Sequence, residues 1–112
     1  MAGRYDFPIE QGITLSKTVT WKDESGNPVN LTGMEVKGAI RSRDGLAIAQ
    51  LECIISNPAA GEILIGLDYE TTGALDFSTA VYDLDVWQGG VPIKRLLRGV
   101  VTLCTDVENV DV

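Results

Sequence analysis

The sequence predicts an all-β fold: an antiparallel β-sandwich, immunoglobulin-like or related, of seven or eight strands with one short helical turn. Turn signals built from Gly, Pro, Asn and Asp recur along the chain, and the segments between them run about 6 to 12 residues, a spacing typical of sandwiches and barrels. Most of these segments alternate apolar and polar residues, as half-buried strands do. The length of 112 residues suits a single domain over residues 1–112.

Five turn signals divide the chain. Residues 23–28 combine Asp, Gly, Asn and Pro, and residues 31–33 form a shorter Leu-Thr-Gly turn. The pair Asp44-Gly45 is typical of a tight hairpin. Residues 57–61 and 88–90 supply two further turns, the second containing two consecutive glycines. We therefore expect strands to end at each of these points.

The first long strand carries a break in its apolar face. Ile13, Leu15, Val19 and Trp21 share one parity, while Lys17 interrupts that set with a charge. A charge on the inward side is one way in which proteins protect an edge strand from further pairing. We therefore predict that this end of the strand lies at an edge or rim.

Three later segments alternate cleanly, and a fourth is longer. Residues 34–41, 62–67 and 81–87 each place apolar side chains on one face. Residues 91–103 form a long β-rich run in which Gly99 marks an expected bulge or bend. The predicted core comprises Leu15, Val19, Trp21, Val36, Ile40, Ile63, Ile65, Leu67, Tyr82, Leu84, Val86, Leu97 and Val101.

Residues 68–75 differ from the strands. Asp68 is a good N-cap and Gly73 stands near the other end, so we expect one helical turn here. The turn bridges the strand that ends at Leu67 to the next one. Residues 1–5 and 106–112 are predicted to be loose termini, the second of them acidic.

The charge balance and the missing histidine exclude several functions. Lys plus Arg total 9, Asp plus Glu total 16, the net charge is −7, and there is no histidine. Ser-His-Asp and Cys-His catalytic sites and histidine-ligated metal sites are therefore excluded. An acidic chain argues against a nucleic-acid partner, because phosphate neutralisation needs a basic surface. We expect a protein that is not an enzyme and that uses no metal or cofactor.

The same composition bears on the compartment. No apolar run approaches the roughly 20 residues that span a bilayer, so we expect no membrane partner. The start of the chain has no hydrophobic signal core, which predicts a chain that is made and kept in a cytoplasm. Cys53 and Cys104 each sit in an apolar run, and we expect two reduced, buried thiols rather than a disulfide.

The bases of the second half of the chain are clustered. Beyond residue 56 the chain carries 9 acids but only 3 bases, Lys94, Arg95 and Arg98. These bases either receive an acidic patch of another subunit or pair with Asp83 and Asp85 on the neighbouring strand. We favour pairing within the chain, which is the ordinary arrangement in a sheet.

A tryptophan extends this cluster into a candidate contact surface. Asp83 and Asp85 share one face of a strand, and we interpret them as its solvent-facing side rather than as a catalytic or calcium-binding pair. Trp87 has the same parity and faces outward if the alternating apolar residues face the core. The candidate contact surface is therefore Trp87 together with the three clustered bases. The alternative is that Trp87 lies under the adjacent turn or against the N-terminal segment.

Several motifs follow one another along the chain: an opening Asp-Phe with a Gly-containing strand, a strand ending in an aromatic residue, a Leu-Thr-Gly strand entry, and a Tyr-Asp-Leu strand followed by a basic one. They lie at residues 6–15, 19–21, 29–41, 80–86 and 94–101. In this order the series resembles small all-β virion-associated structural proteins of tailed bacteriophages and prophages. The resemblance covers residues 6–103.

The resemblance implies a non-enzymatic structural or adaptor protein of the phage particle, in the tail, baseplate, connector or head decoration. Such a protein is made in the cytoplasm of the bacterial host and located in the virion. Its expected partners are other copies of itself, as a homo-oligomer, and other virion proteins. The alternative hypothesis is a carbohydrate- or receptor-binding sandwich with Trp21 and Trp87 as platforms.

Overall fold

The structure, a computed structural model, describes residues 3–105 and confirms the predicted fold class. Within that range it contains eight strands, one α-helical turn and one 3₁₀ turn. The elements are β1 (Gly3–Arg4), β2 (Phe7–Glu10), β3 (Leu15–Thr20), β4 (Glu35–Arg41), β5 (Ala47–Asn57), the 3₁₀ turn Pro58–Ala60, β6 (Glu62–Leu67), α1 (Tyr69–Gly73), β7 (Thr79–Gln88) and β8 (Val91–Cys104).

A long strand, β5, joins two parts of one curled sheet that enclose the core. Its first part, up to Leu51, pairs with β4, and its second part, from Glu52, pairs with β6. We call the order β1-β8-β7-β4-β5 the large sheet and the order β5-β6-β3 the small sheet. The pairings from β8 through to β3 are antiparallel, as predicted.

The N-terminal strands depart from the antiparallel pattern, because β1 and β2 run parallel to β8. The predicted loose terminus is wrong for residues 3–5: they line the edge of β8, and the Tyr5 N–H donates to the Arg98 carbonyl oxygen at 3.1 Å. Pairing satisfies backbone groups that a loose segment would leave to water. Residues 1–2 and 106–112, which we also predicted to be loose, lie outside the described residues.

The core largely matches the prediction. Eleven of the thirteen predicted core residues are buried, while Val19 and Trp21 are half-buried and pack against the core. The buried residues that we did not predict are Phe7, Ile9, Leu31, Leu51, Thr72, Leu75, Ala80, Leu96 and Leu103. Most of these lie in segments too short or too irregular to show a clear alternation, such as β2 and the loop at Leu31.

The predicted turns close hairpins. Gly89 and Gly90 have φ of 62° and 79° between β7 and β8. Positive φ at both central residues is the geometry of the hairpin turn whose twist matches that of the strands. At the Asp44-Gly45 turn, the Ser42 N–H donates to the Leu46 carbonyl oxygen at 2.9 Å and joins β4 to β5.

β3 lies at the edge of the small sheet, as Lys17 predicts. Among the described strands β3 pairs only with β6. Lys17 has the inward parity of Leu15 and Val19, and its Nζ lies 5.9 Å from the centre of the Phe7 ring. The charge on the inward side opposes the addition of a further strand at this edge.

Gly99 does not mark a bulge. The register between β7 and β8 shifts instead at Leu96 and at Ile93, each of which is an extra residue in β8. At Gly99 the requirement is a close approach, because a Cβ there would overlap the carbonyl oxygen of Tyr5. The N-terminal segment passes over β8 at this point, and a side chain would displace it.

The helical turn α1 forms where predicted, with Asp68 as its N-cap. The Thr71 N–H donates to the Asp68 carboxylate at 2.7 Å, and this bond holds the pKa of Asp68 below its usual value. Gly73 is the last helical residue. Thr72 is fully buried, and its hydroxyl donates to the Ile13 carbonyl oxygen at 2.9 Å, which ties α1 to the segment before β3.

The two cysteines correct the expectation of two buried thiols. Cys53 is half-buried against the core, and burial raises the pKa of its thiol to about 11. Cys104 is exposed at the end of β8, because Leu103 takes the inward position there. Across residues 3–105, no helix is long and apolar enough to cross a membrane.

Candidate functional site

The structure separates the predicted contact surface into two sides of β8. Residues directly opposite each other on neighbouring strands share a face of the sheet. Arg98 is opposite Asp83, and Arg95 is opposite Asp85. These four residues lie on the outer side of the large sheet, as does Trp87. Lys94 is opposite the buried Val86 and therefore belongs to the other side. The extra residue Leu96 causes this division, because it changes which β8 residues face outward.

The predicted pairing of these bases with the two aspartates holds for one of them. Arg95 Nε donates to Asp85 Oδ1 at 2.9 Å, and this bond, with the charge of the carboxylate, raises the pKa of Arg95. Asp83 pairs instead with Arg41 of β4, whose Nη1 donates to Oδ2 at 2.7 Å. Because both pairs are partly exposed, each contributes only about 0–1 kcal/mol to stability.

Basic residues accumulate around this outer side. Of the nine bases in the chain, six lie on or beside the outer side of the large sheet, which we call the basic face. They are Arg4, Lys37, Arg41, Arg43, Arg95 and Arg98. Four acids, Asp6, Glu35, Asp83 and Asp85, lie on or beside the same side, so the six bases leave the face locally cationic by two charges on a chain whose net charge is −7.

Trp87 is covered rather than open. It is half-buried, and Lys37 Nζ lies 4.2 Å from the centre of its ring. Such a contact between a cation and an aromatic ring contributes about 0.5–1 kcal/mol at an exposed site. The indole N–H is buried and has no acceptor among residues 3–105. Trp87 therefore faces outward as predicted, but an ammonium group already occupies one side of its ring.

Three arginines from distant parts of the sequence line one shallow cavity on the basic face. Arg4, Arg43 and Arg98 surround about 440 Å³ above a floor that includes Val81 and Val100. We call this the arginine cavity. Arg98 belongs to the predicted contact surface, whereas Arg4 and Arg43 do not. They were missed because β1 pairing and the β4–β5 hairpin bring them to β8 only in the folded chain.

The carboxylates near this cavity are already engaged. Arg4 Nη2 lies 3.2 Å from Asp6 Oδ2, and the other Asp6 oxygen accepts the Val100 N–H at 2.8 Å. The backbone hydrogen bond, followed by the bond from Arg4, holds the pKa of Asp6 below its usual value. Among the described residues neither Arg43 nor Arg98 forms an ion pair. Asp83 also lines the cavity, but its carboxylate pairs with Arg41, so the guanidinium groups of Arg43 and Arg98 are left without an ion pair among the described residues.

The outer face of the small sheet is apolar at its centre. Ile54 of β5 is 58% exposed, and register places it in one row with Leu64 of β6 and Thr18 of β3. Beside this row a shallow groove of about 190 Å³ runs over Gly66, where no side chain fills the surface. β5 was not predicted from the sequence, because its residues show no clean alternation of apolar and polar types.

A third surface surrounds α1 and is acidic. Tyr69 is 59% exposed and stands between Asp68 and Glu70, a segment that we call the acidic turn. With Asp76, the two acids line an open cavity of about 590 Å³ that has no basic residue in its lining. Within residues 3–105 no group of three or more Cys, Asp or Glu side chains is arranged to hold a metal ion.

Comparison with known proteins concerns the fold alone. No protein-family model matches the chain, and no curated protein matches it. The filamin domain of Lin-41 is similar with a TM-score of 0.45 and 13% identity, covering 87% of this chain and 82% of that one. The Listeria monocytogenes internalin-like protein lmo2027 has a TM-score of 0.52 and 14% identity. The match covers 92% of this chain but only 28% of the internalin-like protein.

Proposed function

We propose that the chain is a non-enzymatic structural or adaptor protein of a tailed bacteriophage or prophage particle. It acts by self-association and by contact with other virion proteins, is made in the cytoplasm of the bacterial host and is located in the virion. The ordered motifs across residues 6–103 support this class of protein. The exposed surface of the small sheet supports the mode of action.

The proposal depends above all on the apolar centre of the small sheet. Ile54 projects from a sheet surface with Leu64 beside it. Covering such a side chain is favourable by about 25 cal/mol per Å² of apolar surface removed from water. Because Lys17 opposes strand addition at the β3 edge, the expected contact is face to face.

Association of the purified chain tests this function. We expect light scattering after size exclusion to show oligomers whose share rises over a roughly hundredfold range of concentration. Ile54→Glu places a charge in the apolar contact and is expected to shift the chain toward the monomer. Ser25→Glu introduces the same charge in the exposed turn between β3 and β4 and is the matched control. A wild-type chain that stays monomeric throughout, and does not co-sediment with phage particles, contradicts the proposal.

Carbohydrate binding is the second candidate, and one cavity favours it. Trp21 lines an open space of about 710 Å³ together with Asp23, Glu24 and Lys94, which combines an aromatic platform with polar groups. Trp87 lies on another side with Lys37 Nζ 4.2 Å from its ring centre, whereas Lys94 Nζ lies 5.8 Å from the centre of the Trp21 ring. Glycan binding at this cavity predicts a fluorescence change that Trp21→Phe removes and Trp87→Phe retains. Titrations that leave the fluorescence unchanged speak against it.

A further inference from the structure

We propose that the arginine cavity of one copy binds the acidic turn of a second copy. The inference rests on the proposed function, since it identifies a surface through which copies associate. The surface differs from the apolar centre of the small sheet, so each can be tested separately. The two partners are different patches of the same chain, which makes the contact heterologous.

The charge of the cavity selects an anionic partner. Asp83 is neutralised by Arg41 and Asp6 by Arg4. Arg43 donates to the Thr79 hydroxyl at 3.4 Å, and among residues 3–105 neither Arg43 nor Arg98 forms an ion pair. Guanidinium groups present a fork of donors that matches a carboxylate, so the cavity is suited to binding carboxylates.

The floor of the cavity adds a preference for an aromatic ring. Val81 and Val100 form apolar surface between the guanidinium groups, and Gly99 contributes no side chain. Arginine also stacks on aromatic faces. A tyrosine flanked by carboxylates therefore satisfies both the apolar floor and the cationic rim.

The acidic turn has this composition and is held in place. Tyr69 is 59% exposed and lies next in the chain to Asp68 and Glu70, and no basic residue lines the cavity beside these two acids. The Asp68 cap and the bond from Thr72 to Ile13 hold the turn against the body of the molecule. A preformed ligand loses less conformational entropy on binding, and Tyr and Arg are the residue types enriched at the centres of interfaces.

The residues of the acidic turn do not line the arginine cavity, so one copy can use both surfaces at the same time. Head-to-tail repetition of such a contact produces a ring if the rotation closes and a filament if it does not. The opposite charges of the two patches favour the orientation in which the cationic cavity of one copy faces the acidic turn of the next.

Sedimentation velocity of the full chain and paired charge reversals test the contact. We expect Arg98→Glu and Glu70→Arg each to weaken the association constant by about tenfold or more, because each removes an interfacial pair and adds a repulsion. An equimolar mixture of the two variants should recover association as a heterodimer, since one retains an intact turn and the other an intact cavity. Lys22→Glu makes the same charge change in an exposed turn and should leave association unchanged.

The outcomes separate this contact from the proposed function. If the wild-type chain associates but Arg98→Glu has no effect, or the mixture does not recover, the arginine cavity contact is wrong and the proposed function stands. If deletion of residues 106–112 abolishes association while Glu70→Arg does not, the acidic C-terminal segment is the occupant and the proposal is overturned. A wild-type chain that stays monomeric but co-sediments with phage particles overturns this contact and leaves the proposed function standing, whereas a chain that neither associates nor co-sediments contradicts the proposed function itself. Circular dichroism of each variant verifies folding.

Discussion

Single residues near the N-terminal segment show how a backbone contact determines which side chain is tolerated. The carbonyl oxygen of Tyr5 lies over Gly99 and accepts a hydrogen bond from the hydroxyl of Tyr82. Burial, together with the neighbouring Tyr5 and Asp6, raises the pKa of Tyr82 and keeps this donor protonated. The Tyr5 carbonyl oxygen therefore leaves no room for a side chain at Gly99, and it accepts its hydrogen bond from Tyr82.

A methyl group at Gly99 should displace the N-terminal segment. We expect Gly99→Ala to lower the free energy of unfolding by about 1–3 kcal/mol, because the added Cβ overlaps the Tyr5 carbonyl oxygen. Urea unfolding measures the change. Gly73→Ala is the control, since the atom nearest to its Cβ is Gly12 Cα at 3.7 Å, an ordinary contact. Equal stability of both variants would show that Tyr5 does not lie over Gly99.

At the scale of elements, pairing partners determine what a strand presents. Arg95 and Arg98 share the outer side of the large sheet, while Lys94 lies on the other, because Leu96 is an extra residue relative to β7. A bulge is defined by its partner strand, so the alternation of β8 alone does not locate it. The helical turn α1, in contrast, was predicted from local sequence, because its cap is a hydrogen bond between Asp68 and Thr71, three residues away.

The buried hydroxyl of Thr72 should anchor α1 to the rest of the molecule. Thr72→Val keeps the shape of the side chain but leaves the Ile13 carbonyl oxygen without its donor, and we expect a loss of about 1–3 kcal/mol. Thr20→Val on the exposed side of β3 is the matched control, expected to change stability little. Urea unfolding combined with amide exchange in α1 provides the measurement. Unchanged exchange in Thr72→Val would argue against this anchor.

At the scale of the whole molecule, charge and apolar surface are distributed unevenly. The basic face carries six of nine bases, the acidic turn lies at α1, and the small sheet presents Ile54. Each surface is assembled from segments far apart in sequence. The chain therefore has separate surfaces suited to different contacts, which is what the proposed function needs.

Salt should distinguish the two proposed modes of association. Raising sodium chloride from about 0.05 M to about 0.5 M shortens the range of electrostatic interactions, and we expect the contact at the arginine cavity to weaken about tenfold. The apolar contact at Ile54 should persist, since salt screening acts on charges. Ile54→Glu disrupts the apolar contact, so its sedimentation velocity measures the contact at the arginine cavity. Arg98→Glu disrupts the cavity contact, so its sedimentation velocity measures the apolar one. A salt-independent constant in Ile54→Glu would contradict an electrostatic contact at the cavity.

Local patterns predicted those features that depend on neighbouring residues. The strand alternation, the Gly89-Gly90 hairpin, the Asp68 cap and the edge position of Lys17 all follow from interactions within a few residues or from one strand face. The pairing of β1 and β2 with β8 was not predicted, because short parallel strands show little alternation of apolar and polar residues in the sequence. Of the predicted contact surface, Trp87, Arg95 and Arg98 share one side, while Lys94 does not.

By itself the sequence determined that this is an acidic, histidine-free β domain, where its strands alternate and where its chain turns. Only the tertiary structure decided which charged side chains lie close together. Asp83 pairs with Arg41 rather than with Arg98. Arg4 and Arg43 line the same cavity as Arg98. The physical reason is the separation along the chain of the residues that interact. Side-chain periodicity, caps and turns act over a few residues, whereas cross-strand register joins residues almost one hundred positions apart, as at Arg4 and Arg98.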